Sequence, residues 1–535
     1  MTMNSAKLSI ILYRLGTLPF RHAPPRLPGI GMRGQRLNGL ERNGMTILIS
    51  TLSDPNYALA PEILLTGEGP QTDAVLAVAD GAILFAGPRC DFAARYPGRA
   101  IRDLPGCAIV PGFIDAHTHL GQAFGKKLTG GEPSQIWRRI WVPLESSLDA
   151  EMAHTSAKWM FLEALRGGFT TINNFAIIDD EKADAIHKAA KEVGIRLVSS
   201  TGAAEETDLP HGRAPVALAR LIDDALVRAD AHVSRCHRLD RVTPSLCVSG
   251  VQGASGQLMR ALSDFCAERG VLFQIHTNEH HVEVHWSVVR YGKRPLEFFA
   301  ENGAVGPHTL HHHSTMVTDS EIEILRETGS AVSYNPLASA WKGDRVAPAL
   351  AFAARGVRFG IGTDSTRSDA FRLLESAETC QRLASGMELA DFSCGAAWTW
   401  IDAATRGSAD VTGLGSVTGT LAAGQRADFL VLDRQRPEVL PSWDFEWELI
   451  RLYNRDQIEA VVIDGRPVLL RGRPVGWDAE AFIDRNLGRA IAAVNAAPIE
   501  RRHGVSSPRR PIPPRQGENR HVARTLSDAL NSGDH

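Results

Sequence analysis

Apolar residues fall into short runs that alternate with longer stretches of helical period, and this alternation sets the expected fold. The runs are Ala108–Ile114, Thr170–Phe175, Arg196–Ser200, Thr243–Val248, Val271–His276, His308–His312, Ala331–Tyr334 and Val357–Gly362. Most are aliphatic and β-branched, as strands covered on both faces must be. Between them, Ala150–Arg166, Glu181–Val193, Gly256–Arg269 and Asp319–Thr328 repeat apolar positions every three or four residues, which predicts amphipathic helices. Eight strands alternating with helices over about 260 residues predict an α/β fold, a (β/α)8 TIM-like barrel. An open doubly wound sheet is the structural rival, but no Gly-x-Gly-x-x-Gly follows the first strand.

Shorter runs flank this region. Ile47–Ser50, Val75–Val78 and Ile83–Ala86 read as strands, the last two joined by the turn Asp80-Gly81. Phe429–Leu432 and Ala460–Ile463 follow the barrel, with turns at Ala423-Gly424 and Asp464-Gly465. The expectation is a small composite β-domain built from residues 46–107 and 415–497, flanking a barrel over 108–414. Residues 1–45, Arg-rich and acid-poor, read as a flexible extension or as sequence upstream of a start at Met45, with a transit peptide the weaker alternative. The Arg- and Pro-rich stretch 498–535 reads as a disordered tail.

Composition narrows the function classes. The 535 residues are 44% hydrophobic and 22% charged, which is globular, and no apolar run approaches the roughly 20 residues needed to span a bilayer. The formal charge of −3 conceals an acidic body. Residues 46–500 carry 44 basic and 57 acidic side chains, and the basic excess lies at the two ends. Such a body argues against a nucleic-acid partner for the folded part. Seven scattered cysteines with no Cys-x-x-Cys point away from a disulfide framework or a thiolate zinc site, and toward a reducing, cytoplasmic compartment. The same absence excludes the base-flipping zinc deaminases.

The chemical signal is histidine at strand ends. His117-Thr118-His119 closes an apolar strand, and residues i and i+2 of a strand face the same side. At the C-terminal end of a barrel strand both imidazoles enter the active-site mouth, where they suit one divalent metal. Gln274-Ile-His276-Thr-Asn-Glu279 is a second strand ending in His, with a carboxylate three residues on to carry a proton. In His311-His312-His313, alternation places His311 and His313 on one face, and His313 is nearer the strand's end. Gly362-Thr363-Asp364 supplies a carboxylate at the last strand end. Gln122, Trp137 and Trp141 in the loop after the first pair, and Ser365 and Arg367 after the last, are candidate substrate contacts.

These segments together resemble the amidohydrolase superfamily, in particular its mononuclear aminohydrolases and chlorohydrolases: cytosine, guanine and S-adenosylhomocysteine deaminases and s-triazine hydrolases. The resemblance runs from about Thr46 to Arg473. It rests on Pro111-Gly-Phe-Ile-Asp-Ala-His-Thr-His-Leu120, on His276 with Glu279, on His313 eight residues before Glu321, on Gly362-Thr-Asp364, and on Gly419-Thr-Leu-Ala-Ala-Gly-Gln-Arg-Ala-Asp428 with Ile463-Asp-Gly-Arg466. It implies that His117, His119, His276 and Asp364 bind a metal. It also implies that Glu279 shuttles a proton, that His313 orients the attacking water, and that Asp364 takes the water's proton. It further implies one divalent ion, with Zn²⁺ the first choice and Fe²⁺ the alternative, and a homodimer or larger homo-oligomer. The bridging Lys of dinuclear members is missing from Thr243–Ser249.

Two segments depart from the family pattern. Val248-Ser-Gly250 stands where several deaminases have a substrate-binding His, and Asn335-Pro-Leu-Ala-Ser-Ala-Trp341 replaces a Pro-x-Ser-Asn motif. Both departures bear on the substrate rather than the reaction. The expected activity is hydrolytic deamination of an aminated nitrogen heterocycle, a small-molecule substrate. A chlorohydrolase, or an amidase or cyclic amidase, would use the same activated water on another bond.

Overall fold

A computed structural model of the chain describes residues 50–130, 132, 136–205, 218–342, 345–386 and 390–502. The expected extension 1–45 and nearly all of the expected tail lie outside them. Eight parallel strands form the central sheet in simple sequence order. They are β1 Phe113–Thr118, β2 Phe169–Asn174, β3 Arg196–Gly202, β4 Val242–Val248, β5 Leu272–Thr277, β6 Thr309–His313, β7 Ala331–Tyr334 and β8 Arg358–Ile361. The sheet curls until its two edges meet. The Asp364 amide donates to the His117 carbonyl at 2.8 Å, and the Asp115 carboxylate accepts from the Thr363 amide and hydroxyl. Gly362 permits that seam, because a Cβ there would lie 2.7 Å from the His117 nitrogen.

Helices cover the outside. Ala150–Arg166 begins where the Asp149 carboxylate accepts from the Met152 amide, the expected N-cap chemistry. Its inner face buries Ala157, Met160, Phe161 and Leu165. The same helix positions the site, because its Ser156 hydroxyl donates to the Leu120 carbonyl in the loop after β1.

A nine-stranded sheet flanks the barrel and combines both ends of the described chain. Phe429–Asp433 pairs antiparallel with Arg102–Pro111, which pairs in turn with Asn56–Thr66. The hairpins at Asp80-Gly81 and Asp464-Gly465 have positive φ at both turn residues, the conformation that Asp-Gly favours. Arg196 on β3 ties the two bodies with an ion pair to Asp428 and another to Asp464, both at 2.9 Å.

Three expectations change. The run Ala108–Ile114 is two elements, because the chain leaves the flanking sheet at Pro111 and enters the barrel at Phe113. Gly112 makes that change possible, since a Cβ there would lie 2.3 Å from the Thr170 side chain. Ser50 opens a helical turn rather than ending a strand, and Ile47–Ile49 lie outside the described residues. Ala479–Ala496, expected within the β-domain, is an 18-residue helix packed on Ala150–Arg166.

Candidate metal centre and active site

The C-terminal ends of β1, β5, β6 and β8 converge on one point. The His117 ring lies 4.9 Å from that of His119 and 5.0 Å from that of His276, centre to centre. Asp364 Oδ1 sits 3.4 Å from His117 Nε2 and 3.3 Å from His119 Nε2. The candidate ligand atoms of His117, His119 and His276 lie within 4.8 Å of one another, and so do those of His117, His313 and Asp364. The backbone is unusual at these strand ends: His313, Ser314, Asp364, Ser365 and Asn278 all have φ between 49° and 70°. Left-handed conformations outside glycine are costly and collect at functional sites.

Hydrogen bonds fix how each ring is presented. His276 Nδ1 meets the Ser249 carbonyl at 3.1 Å, so that nitrogen carries the proton and Nε2 presents its lone pair inward. Glu145 lies beside His119 Nδ1 at 4.0 Å. The Ser333 hydroxyl donates to Asn335 Oδ1, and Asn335 Nδ2 donates to His313 Nδ1 at 3.2 Å. That order puts the His313 proton on Nε2, which faces Glu279 Oε1 at 3.6 Å and Asp364 Oδ2 at 3.8 Å.

The donor set fits a divalent cation. His117 is fully buried, yet neither of its ring nitrogens has a hydrogen-bond partner. Burial lowers His117 to about 3 against the opposing pull of Asp364, lowers His313 to about 3, and lowers His276 well below the usual imidazole range. His117 and His276 therefore offer lone pairs at neutral pH, whereas the His313 lone pair is taken by the Asn335 amide. Burial pushes Asp364 up, but Lys342 and the neighbouring histidines outweigh it and keep the carboxylate ionised. Burial pushes His119 down, but Asp364 and Glu145 outweigh it and raise it, so a bound cation takes the place of that proton. The imidazoles of His117, His119 and His276 with the Asp364 carboxylate are a donor set that suits Zn²⁺ or Fe²⁺.

Around this core lies a set of carboxylates and their supports. Glu279 follows β5, and its amide donates to the buried Glu283 carboxylate at 2.8 Å. Burial pushes Glu279 up, and His280, His313 and Lys342 together hold it well below the carboxylate range. The spacing from His313 to Glu321 has a physical basis. Glu321 accepts from Asn278 Nδ2 at 2.7 Å, and Thr315 on the same loop donates to the Asn278 carbonyl at 2.9 Å. Both bonds hold the residue before Glu279. Below the mouth, His312 stacks on His117 at 3.8 Å and bonds to Gln274, which also takes the Asn173 amide.

His311 is a correction. It does not share the face of His313: it bonds to the Thr277 hydroxyl and stacks on Phe299 in the covering layer. The positive φ of His313 breaks strand alternation and swings that side chain into the mouth.

The candidate substrate contacts spread out. Gln122 donates to Glu145 at 2.6 Å, and the Ser365 hydroxyl is shared between the amide and carbonyl of His119. Trp141 packs with Phe124 against Leu144, Leu148 and Met152. Arg138 lies over the Trp137 ring, and Arg367 turns to Asp369 at 3.3 Å. His280 lies 3.2 Å from Glu279. The sequence reading missed Phe175, whose ring lies 4.3 Å from that of His276. It also missed Lys342, whose ammonium bonds both Glu279 Oε1 and Asp364 Oδ2. A signal was present, since Lys342 is the first charged residue after Glu327.

A parallel barrel with a His-x-His pair, two further imidazoles and two carboxylates at its mouth defines the class of metal-dependent hydrolases. The amidohydrolase family profile matches residues 108–468, and the chain belongs to that family. It is a hydrolase acting on carbon–nitrogen bonds other than peptide bonds. A 5-methylthioadenosine/S-adenosylhomocysteine deaminase of Syntrophobacter fumaroxidans is 26% identical over 412 residues, 77% of this chain and 91% of that protein. An adenosine deaminase structure from Xanthomonas campestris with bound zinc superposes with a TM-score of 0.74 at 23% identity, covering 82% of this chain and 98% of that one. The zinc complex of an atrazine chlorohydrolase from Arthrobacter aurescens TC1 gives 0.70 at 21% identity, covering 82% and 100%. Among the described residues, no helix is long and apolar enough to cross a membrane.

Proposed function

We propose that the chain is a metal-dependent aminohydrolase that replaces the amino group of a nitrogen heterocycle by oxygen and releases ammonia. The observation that carries this reading is the convergence of His117 and His119 on Asp364 Oδ1, with His313 Nε2 facing both Asp364 Oδ2 and Glu279 Oε1. The deaminase relatives support it by name. His117, His119, His276 and Asp364 hold one divalent ion, Zn²⁺ being the first choice because zinc is bound in both neighbouring structures. Such an ion supplies an activated water at neutral pH.

The chain's own groups do the rest. His313 donates from Nε2 to orient the attacking water, and Asp364 Oδ2 accepts its proton. Glu279, ionised in the resting site, takes the water's other proton and passes it to the ring nitrogen next to the attacked carbon, so electron density drains toward nitrogen as the carbon becomes tetrahedral. The proton collected at Asp364 leaves with the amine. Gln122, Trp141 and Ser365 act on substrate through the loops they brace rather than by direct contact.

The test is ammonia release from aminated purines, pyrimidines, pterins and triazines, with metal quantified in the same sample. Turnover that survives metal removal, or Glu279→Gln at full rate, defeats the reading. Chloride release from a chlorinated triazine in place of ammonia would move it to the chlorohydrolases.

We further propose a cytoplasmic homo-oligomer. All seven cysteines are free thiols, as a reducing compartment keeps them. Phe392, Trp398 and Trp443, around the helices that follow β8, are 83%, 52% and 88% exposed, and a subunit interface there would cover them. Sedimentation velocity showing only a monomer would refute the oligomer.

A further inference from the structure

Lys342 is the last residue of the helix Pro336–Lys342, which begins directly after β7. Its side chain is 20% exposed, and its ammonium lies 2.7 Å from Asp364 Oδ2 while also bonding Glu279 Oε1. The two oxygens of Asp364 have separate neighbours. Oδ1 faces His117 and His119, whereas Oδ2 faces His313 and Lys342. The ammonium therefore stands off the ligand side and between the two carboxylates that exchange protons with the substrate. Among the described residues it is the one Lys or Arg that touches either carboxylate: Arg367 pairs with Asp369 and Lys126 with Glu163.

We propose that Lys342 is a specificity-determining residue that selects aminated heterocycles carrying a ring oxo oxygen near the reacting carbon. The proposal rests on the aminohydrolase reading and narrows its substrate class. An ammonium has three N–H donors and no acceptor. The two carboxylates occupy two donors, and the third meets whatever ring edge enters between them. A ring bearing only amino groups and hydrogens there presents donors or apolar edge to a half-desolvated cation. A ring oxygen presents an acceptor, and it gains negative character as the attacked carbon becomes tetrahedral. A site with a buried donor of this kind discriminates against ligands that leave it unpaired. Lys342 neither gains nor loses a proton. The water oxygen bonds to carbon, the carbon–amine bond breaks, and the protons move through Glu279 and Asp364 only.

The experiment uses the full chain loaded with zinc and three matched pairs differing by one oxo group. They are isoguanine and adenine, cytosine and 4-aminopyrimidine, and ammeline and 2,4-diamino-1,3,5-triazine. Binding is measured by calorimetry and ammonia release separately, for the native chain, Lys342→Met and Lys342→Arg, with zinc content determined for each. The native chain is expected to favour the oxo member of at least one pair tenfold or more. Lys342→Met should bring that ratio close to one, and Lys342→Arg should retain part of it. Equal binding within all three pairs, absence of binding by every oxo member, or a preference that persists in Lys342→Met overturns the assignment. The two readings fail separately. Oxo-selective binding without ammonia release counts against the aminohydrolase, whereas ammonia release without oxo selectivity counts against Lys342 alone.

Discussion

Among the described residues, two clusters offer metal-binding atoms, and they differ in what surrounds those atoms. One is the mouth, with His117, His119, His276, His313 and Asp364. The other joins His187, His232 and Cys236 between two covering helices and β3, with ligand atoms also within 4.8 Å of one another. In the second cluster one nitrogen of each ring already has a partner: His187 Nε2 meets the Ser199 hydroxyl at 2.8 Å and His232 Nε2 the Ser199 carbonyl at 2.9 Å. Burial pushes the Cys236 thiol up to about 12, so it offers no thiolate at neutral pH. At the mouth His117 has no partner at either nitrogen, and Asp364 is held ionised. Proximity of donors is common to both. Unsatisfied lone pairs aimed at an anion are found at the mouth.

The predictions put pressure on that contrast. His276→Ala removes a ligand whose geometry is set by the Ser249 carbonyl. It should empty the metal site and lower ammonia release by on the order of 10³-fold or more, read by metal analysis and steady-state kinetics. Glu279→Gln should keep the metal and lose roughly 10²–10⁴ in kcat, the usual weight of one general acid. Asn335→Ala frees the His313 tautomer and should cost about 10- to 100-fold in kcat with metal content unchanged. A loss of metal in Asn335→Ala would mean that His313 is a ligand and not a water-orienting group.

The second cluster should respond to pH rather than to metal. Burial, then His232 and Arg235, hold His187 at about 4, below the roughly 6.5 of an unfolded imidazole. Between those values the unfolded chain binds the extra proton, so stability is complete above about 6.5 and falls as pH drops toward 4. His187→Gln should flatten that acid-side slope by on the order of 1–3 kcal/mol in denaturant titrations, while native-pH kinetics stay unchanged. An unaltered slope would show that His187 is protonated in the folded chain as well.

Much of this was legible in the sequence because periodicity and strand-end position are local properties. The helices Ala150–Arg166, Gly256–Arg269 and Asp319–Thr328 run as their periodicity indicates, and each barrel strand lies within two residues of its apolar run, apart from the first. What was not legible depends on contacts distant in sequence. The break at Gly112 is imposed by Thr170 across the sheet, and nothing in Ala108–Ile114 itself announces it. Alternation misplaced His311 because the positive φ of His313 is set by the loop that follows, where Ser314 is pinned to the Thr277 carbonyl at 2.9 Å. Lys342 escaped notice because it reaches Glu279 across 63 residues of chain. Gln122 was read as a substrate contact, but its amide is engaged by Glu145, a part-buried carboxylate 23 residues away.

The most direct test of the account is the metal content of three purified chains measured side by side: native, His117→Ala and His187→Gln. The account predicts one equivalent of divalent metal in the native chain, almost none in His117→Ala, and one in His187→Gln. A native chain that takes up no divalent metal, or one that loses its metal with His187 rather than with His117, would contradict the assignment of the barrel mouth as the metal centre.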